Sequence, residues 1–279
     1  MNYRHGFHAG NFADLAKHAV LLATLRALRD GPALSVIDTH AGAGLYDLSA
    51  PDFARSKEAE AGIKALLGAD VPESLKPLAD YVRAKNAKAG FHGDIGLYPG
   101  SPLLVLDHLR AGDGYIGCEL REDDFNLLRN RIAPRGQALY EDGYAVAVEQ
   151  TNDDRDLFFL IDPPFERPDD YARIVTSLGA VLGLRPDARA LVWLPLKDLE
   201  TFDAFLRHLE REVAGLMRQP VIDVAEIRLR SLWNPMKMNG CALVAINAPD
   251  GVIPQMRAIA SDTVSTFGEA GGVAKTYRL

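Results

Sequence analysis

Cysteine is nearly absent from this chain. Cys118 and Cys241 are the only two, each inside an apolar run, where buried free thiols are the simple reading. That excludes a disulfide scaffold and points to a reducing compartment, so a cytoplasmic location is expected. Long apolar runs are lacking too. None reaches the roughly 18 residues of a membrane span, so no membrane partner is expected. The opening stretch, Met1 to Gly10, holds Arg4, His5 and His8 without an apolar core and does not read as a secretory leader. There is no internal repeat and no low-complexity tract. Positive charge is not in excess either: 31 Lys and Arg against 38 Asp and Glu leave a net charge of −7. That balance excludes a globally basic nucleic-acid binder but not a local basic patch. What is there, 279 residues with 48% hydrophobic and 25% charged side chains, suits one large α/β domain or one domain with a small insertion.

The order of patterns along the chain is strand–helix alternation. Asn11 is a plausible N-cap for a helix with Leu15, Ala19, Leu22 and Ala23 on one face, closed by Gly31-Pro32. Leu34 to Asp38 reads as a buried strand running into the small-residue loop Thr39 to Gly44. Residues 53–92 read as an inserted helical subdomain of two helices, about Ala54 to Leu67 and Pro72 to Gly90, dividing a main domain of 1–52 and 93–279. Beyond it, a helix from Ser101 to about Ala111, a strand from Tyr115 to Glu119, a helix from Asp123 to Ile132 and a short strand from Gln137 to Glu141 follow. Leu157 to Ile161 is a fully apolar strand; a helix carrying Tyr171, Val175, Leu178 and Val181, a strand from Ala190 to Pro195 and a helix from Leu199 to Val213 come next. Ile222 to Leu229 and Cys241 to Asn247 suggest an antiparallel edge hairpin. The whole predicts a mostly parallel sheet covered on both faces.

In such a sheet, ligands bind beyond the carboxyl ends of the strands, and acids stand at four of those ends: Asp38, Glu119, Asp142 and Asp162. Small residues after Asp38, including Gly42 and Gly44, let a ligand approach the backbone, although the full G-x-G-x-x-G fingerprint is missing and a ligand-free turn explains them as well. Glu119 can accept the hydroxyl hydrogens of a ribose, or be a solvated loop residue. Asp142-Gly143 can meet the amino edge of a purine, or be an ordinary turn. Asp162-Pro163-Pro164-Phe165 is more specific. Two prolines stiffen the exit and lack N–H groups, so a carboxylate, a free carbonyl and an aromatic ring meet at one point. That trio suits a planar base with an exocyclic amino group.

At this point the residues carry a resemblance. Asp-Pro-Pro-Phe resembles the signature of amino-group methyltransferases, and the chain is similar to the bacterial 23S ribosomal RNA adenine-N6 methyltransferases of the large-subunit J type. The resembling segments are Tyr3 to Asn11 with Ala13-Asp14 and Lys17-His18, Asp38 to Gly44, Tyr98 to Pro102, and Ile161 to Glu166. The resemblance implies a seven-stranded Rossmann-like class I methyltransferase sheet, S-adenosylmethionine as cofactor and 23S rRNA, protein-free or early in assembly, as partner, with no obligate protein partner. It further implies that Lys17 and His18 close over the methyl donor, that His40, Gly42 and Gly44 line its methionine end, and that Ser101 meets its carboxylate. Asp38 joins this set, Glu119 holds the ribose, and Asp142-Gly143 the adenine edge. Asp162 would also touch the cofactor and, with Pro163, accept the target amino group, Phe165 would stack on the base, and Tyr3 and Arg4 would lie near the RNA. Phe165 stands where a tyrosine is common in that family, keeping the ring and losing a hydroxyl.

Simpler accounts stand beside these. Ser101 is a ready N-cap, and His18 lies four residues after Asp14, as a surface pair would. No spacing typical of a zinc site is present, so no metal is expected. Arg228, Arg230, Trp233 and Lys237 form either an RNA-contacting loop or an exposed mixed-charge one. An adenine-N6 DNA methylase, an NAD-dependent dehydrogenase and a non-enzymatic binding module are the competing functions. Arg4, Lys17, Arg26 and Arg29 against Asp14 alone, with a basic second insertion helix, predict a positive rim around an acidic pocket.

Overall fold

The structure, a computed structural model, describes residues 8–50, 57–231 and 239–279. Asn11 does cap the first helix: its side-chain oxygen accepts from the N–H groups of Ala13 and Asp14 at 3.0 and 2.9 Å. That helix, α1 (Phe12–Ala27), leads to β1 (Leu34–Asp38) and β2 (Leu45–Asp47). A π-helical turn, Glu60–Lys64, continues as Ala65–Leu67, and α2 (Lys76–Lys88) follows. Next come β3 (Leu97–Pro99), α3 (Ser101–Leu106), β4 (Gly114–Cys118), α4 (Glu122–Ile132), β5 (Gln137–Leu139), α5 (Gly143–Glu149) and β6 (Asp156–Ile161). The last third holds α6 (Asp170–Leu184), β7 (Arg189–Leu196), α7 (Leu199–Ala214), β8 (Ile222–Arg228), β9 (Gly240–Ile246), α8 (Val252–Phe267) and β10 (Val273–Arg278).

The sheet order is β10-β8-β9-β7-β6-β1-β4-β5, with β2 and β3 as a separate antiparallel pair. Strands β5, β4, β1, β6 and β7 run parallel, and β9 runs antiparallel to both β7 and β8. Successive strand residues point to opposite faces. Val36, Phe158 and Leu160 join the core beneath α1, α3, α4 and α8, whereas Ile37, Phe159 and Ile161 join the core beneath α5, α6 and α7. Both faces are thus covered, as a parallel sheet requires.

Two expectations need correction. Among the described residues the sheet has eight strands, not seven, and its antiparallel edge runs one strand beyond the β8–β9 hairpin, because β10 pairs antiparallel with β8 outside it. The sequence of β10, Val-Ala-Lys-Thr-Tyr-Arg, is polar and only half-buried, so it lacks the apolar run that marks the inner strands. The helix opening at Ser101 stops at Leu106, well short of Ala111. Of the first insertion helix, residues 54–56 lie outside the described residues. The rest is the π-helical turn with its short continuation, and α2 begins at Lys76 rather than Pro72.

Candidate active site

β1 pairs with β4 on one side and β6 on the other. The connections after β1 and β6 therefore part company there, which opens a crevice at the carboxyl ends of the strands. Backbone bonds carry the sheet past its strands and build the crevice floor: Thr39 N–H to Leu160 O at 3.0 Å, Ala41 N–H to Cys118 O at 2.9 Å, and Glu119 N–H to Leu139 O at 3.1 Å. The resulting cleft encloses about 730 Å³, counting its open mouth, and is walled by His40, Gly42, Glu119, Asp142, Gly143 and Asp162 among others. Two glycines here answer to geometry. Gly42 has a φ of +61°, which other residues adopt only with strain. At Gly143 a Cβ would overlap the Thr39 carbonyl, 2.6 Å from its carbon, so the third strand-end loop can lie against the first only without a side chain.

The four acids are held differently. Asp38 is fully buried. Its Oδ2 accepts from the Ser101 hydroxyl at 2.6 Å and the Tyr115 hydroxyl at 3.1 Å, while Oδ1 is buried with no partner among the described residues. Burial, opposed by the Ser101 bond and reinforced by the Asp162 charge, pushes its carboxyl up to about 6. Glu119 accepts from the N–H groups of Gly42 at 3.0 Å and Arg121 at 2.7 Å, which aims it across the glycine loop. Burial raises it to about 6 as well, against the backbone bond from Arg121. Asp142 is neither a solvated turn nor free: it caps α5, accepting from Tyr144 N–H at 3.0 Å, and its other oxygen takes the Arg173 guanidinium. Partial burial works against it, but Arg173 holds that carboxyl below the usual range. Asp162 is buried, and Lys17 Nζ donates to its Oδ2.

Lys17, expected to close over the methyl donor, is buried between two carboxylates. It is 3% exposed and sits between Asp14 Oδ1, at 2.8 Å, and Asp162. Burial alone would depress its pKa, but the two carboxylates outweigh that and raise it. His18 is no surface partner of Asp14; it is buried, stacked on Tyr98, with Nδ1 2.8 Å from the Tyr98 hydroxyl. Ser101 is not a cap either: Gly100 caps α3, and the Ser101 hydroxyl serves Asp38. His40 lies on the cleft wall with Nδ1 2.8 Å from the Thr39 hydroxyl. Gly44, with φ +80°, lies outside that wall and takes the Gly100 N–H on its carbonyl at 2.9 Å.

Phe165 has a φ of +51°. A left-handed aromatic costs of order 1–3 kcal/mol and is kept only where the surroundings insist on it. The insistence here comes from the two prolines before it and from Tyr171 and Trp193, whose ring centres lie 4.8 and 5.8 Å from its own. The ring stays half-buried beside the cleft.

Part of the predicted positive rim is paired with acids. Lys17 is neutralised inside the protein, and Lys76, Arg83 and Lys85 of α2 pair with Glu73, Asp80 and Asp107. The arginines at the cleft, Arg121, Arg167 and Arg173, face Asp124, Asp169 and Asp142. Arg228 and Arg230 pair with Glu226 and Glu269 at the base of their loop. Tyr3, Arg4, Trp233 and Lys237 lie outside the described residues. Sequence reasoning missed Asp14, Tyr98, Tyr115 and Arg173. One signal was available: Asp14 and Lys17 are spaced to pair within α1, a helix whose residues from Ala13 to Leu25 are all buried.

A sheet of this order, with one antiparallel strand next to β7 and acids at four consecutive strand ends, defines a class I methyltransferase. A solved structure from Legionella pneumophila superposes over 97% of this chain and 98% of its own with a TM-score of 0.84 at 23% identity, which shows the same fold. The model of the family described as "Ribosomal RNA large subunit methyltransferase D, RlmJ" matches residues 31–278, and the chain belongs to that family. Two relatives, each called ribosomal RNA large subunit methyltransferase J, span nearly the whole chain. The Escherichia coli protein is 30% identical over 92% of this chain and 90% of its own length, and the Haemophilus influenzae protein 29% over 93% and 91%.

Proposed function

We propose that the chain transfers a methyl group from S-adenosylmethionine to N6 of an adenine in 23S ribosomal RNA, acting in the cytoplasm on RNA that is protein-free or early in assembly. The observation that carries this reading is Asp162, gripped by Lys17 at the head of a two-proline exit and opening onto the cleft.

The residues present fit the cofactor. Asp38 Oδ1, buried and without a hydrogen-bond partner among the described residues, is an acceptor that the ammonium of the methionine end would satisfy. Glu119 stands on the wall where a ribose would hydrogen-bond, and Asp142-Gly143 where the adenine edge would lie. S-adenosylmethionine supplies an electrophilic methyl on a sulfonium. The chain must then make a poor nucleophile competent, because the adenine amino lone pair is delocalised into the ring. Asp162 and the Pro163 carbonyl would accept its two hydrogens and favour the pyramidal nitrogen of the transition state over the planar ground state. Lys17 fixes the carboxylate so that no reorganisation is needed at that moment. Phe165, braced by Tyr171 and Trp193, would stack on the extruded base.

Incubating the protein with labelled donor and protein-free 23S rRNA, then digesting the RNA to nucleosides, should place label in N6-methyladenosine. Label appearing in DNA instead would favour the methylase of the other nucleic acid, and stabilisation by NAD rather than S-adenosylhomocysteine would favour a dehydrogenase.

Binding of S-adenosylhomocysteine should depend on pH. Asp38 and Glu119 titrate near 6 in the free protein, and protonation removes the charge and acceptors the ligand needs. Calorimetry should show a Kd nearly constant above pH 7 that rises steeply below 6, by about tenfold per unit for each carboxylate required. The ligand-free protein should respond in the opposite sense through these two groups. Its folded state holds their protons more tightly than the unfolded chain does, so their contribution to stability rises as pH falls from 6 towards 4. An affinity flat between pH 5 and 8 would contradict the assignment.

A further inference from the structure

We infer that the helical segment inserted before β3 is a clamp whose job is to hold Lys17 on Asp162, with Glu58 and Gly62 as positioning residues. The inference rests on the reading of Asp162 as catalytic for its purpose, though not for its mechanics.

The clamp is built from contacts that all land on the short stretch preceding α1. Glu58 reaches it with both oxygens: Oε1 lies 2.8 Å from His8 Nδ1, and Oε2 accepts from Asn11 Nδ2 at 2.8 Å. Two residues into the π-helical turn, the backbone of Gly62 lies flat against Gly10. A Cβ on Gly62 would overlap the Gly10 carbonyl and come within 2.8 Å of Asn11 Cα, and a Cβ on Gly10 would come within 2.9 Å of Ile63 Cγ2. Ile63 N–H then donates to Gly10 O at 2.8 Å. Gly10 itself has a φ of +78°, so the chain turns there in a way only glycine accepts without strain. A widened turn of this kind is rare and is found mostly at functional places in helices.

From Gly10 the connection continues without a gap. Gly10 N–H donates to Asp14 Oδ2 at 3.1 Å, Asp14 Oδ1 accepts from Lys17 Nζ at 2.8 Å, and Lys17 donates to Asp162. The far end of the insertion returns to the same helix. Asn86 of α2 is buried and satisfies the N–H groups of Gly96 and Leu97, each at 2.9 Å, and the carbonyls of Val82 and Leu97, which fixes the entry to β3. β3 then delivers Tyr98 to His18, the neighbour of Lys17. The insertion therefore grips α1 ahead of Lys17 at its start and beside it at its end. Lys17 is thus held by Asp14 of its own helix, and Asp14 is in turn tied through Gly10 to a distant part of the chain.

The test uses the full chain and two variants. Glu58→Gln keeps the size of the side chain but cannot accept from both His8 and Asn11, and Gly62→Ala forces the two backbones apart. Lys17 is read directly, by its rate of acetylation with an N-hydroxysuccinimide ester followed by peptide mass analysis, with the exposed Lys275 as control. In both variants Lys17 should be acetylated at least about tenfold faster, Lys275 should be unchanged, and kcat for methyl transfer should fall about tenfold, equivalent to 1.4 kcal/mol of barrier. The affinity for S-adenosylhomocysteine should stay within about twofold, since the cofactor residues lie on other loops. Lys17 remaining as protected as in the parent in both variants overturns the clamp. So does a loss of kcat that is matched by an equal loss of S-adenosylhomocysteine affinity and of folded protein, which is what a merely structural segment would give. Retention of methyl transfer by Asp162→Ala would instead overturn the catalytic reading, and the labelling result would still decide the clamp.

Discussion

Asp162→Ala is expected to reduce methyl transfer at least ~10³-fold while leaving S-adenosylhomocysteine bound. A preorganised acceptor aimed at developing charge is commonly worth ~10²–10³ in kcat, and in the proposed reaction Asp162 would have two tasks: to receive one amino hydrogen, and to anchor the Lys17 ammonium that donates to it. The Pro163 carbonyl cannot replace it, since a single acceptor leaves the nitrogen planar. Cofactor affinity should hold because the proposed ammonium, ribose and adenine sites are Asp38, Glu119 and Asp142, on separate strand ends. Single-turnover transfer measured beside a binding titration separates the two effects, and a variant that binds poorly but transfers normally once saturated would contradict the role.

Lys17→Met should be the most destabilising single change at the site. It removes one cation from between two buried carboxylates, at 3% exposure, with the buried Asp38 close enough to feel the charge. Removing one partner of a buried ion pair typically costs 3–5 kcal/mol, about 3–5 in this case too, because an uncompensated charge is left behind. In a chain of this size that corresponds to a fall in Tm of roughly 10 °C. Adding Asp14→Asn to Lys17→Met relieves part of the repulsion, so the double variant should recover several degrees and yet remain inactive. That separation marks the Lys17 contact with Asp162 as functional; recovery of both stability and transfer in the double variant would show that the triad only holds the helix in place.

The parts of this fold that were legible in the sequence are those whose signal is local. β1 runs from Leu34 to Asp38 in both readings, since five buried residues between Pro32 and a glycine loop leave few alternatives. The Asn11 cap and the Asp-Pro-Pro-Phe exit are likewise local. What sequence reading lost depends on distant partners. β10 exists because β8 offers it an edge, and α8, Val252–Phe267, packs on α1 from almost the full length of the chain away. His18 looks like a surface partner of Asp14, and Lys17 like part of a positive rim, until Tyr98 and Asp162 arrive across 80 and 145 residues. The strand-end acids were singled out because topology puts such acids at the crevice, where Glu119, Asp142 and Asp162 line the wall and Asp38 lies buried outside it. Arg173, which holds Asp142, was not, because nothing in a helix-borne arginine announces the strand end it faces. The net charge of −7 is now better placed as well: Arg121, Arg167 and Arg173 at the cleft mouth and Lys76, Arg83 and Lys85 of α2 are paired with acids, so capture of RNA through them is expected to be weak and salt-sensitive.

The most direct measurement is mass mapping of modified adenines in 23S rRNA from cells with the gene and from cells lacking it, followed by treatment of the unmodified RNA with the purified protein and S-adenosylmethionine. One N6-methyladenosine should disappear with the gene and be restored by the wild-type protein but not by Asp162→Ala. An unchanged adenine map in the cells lacking the gene, or restoration by Asp162→Ala, would contradict the account.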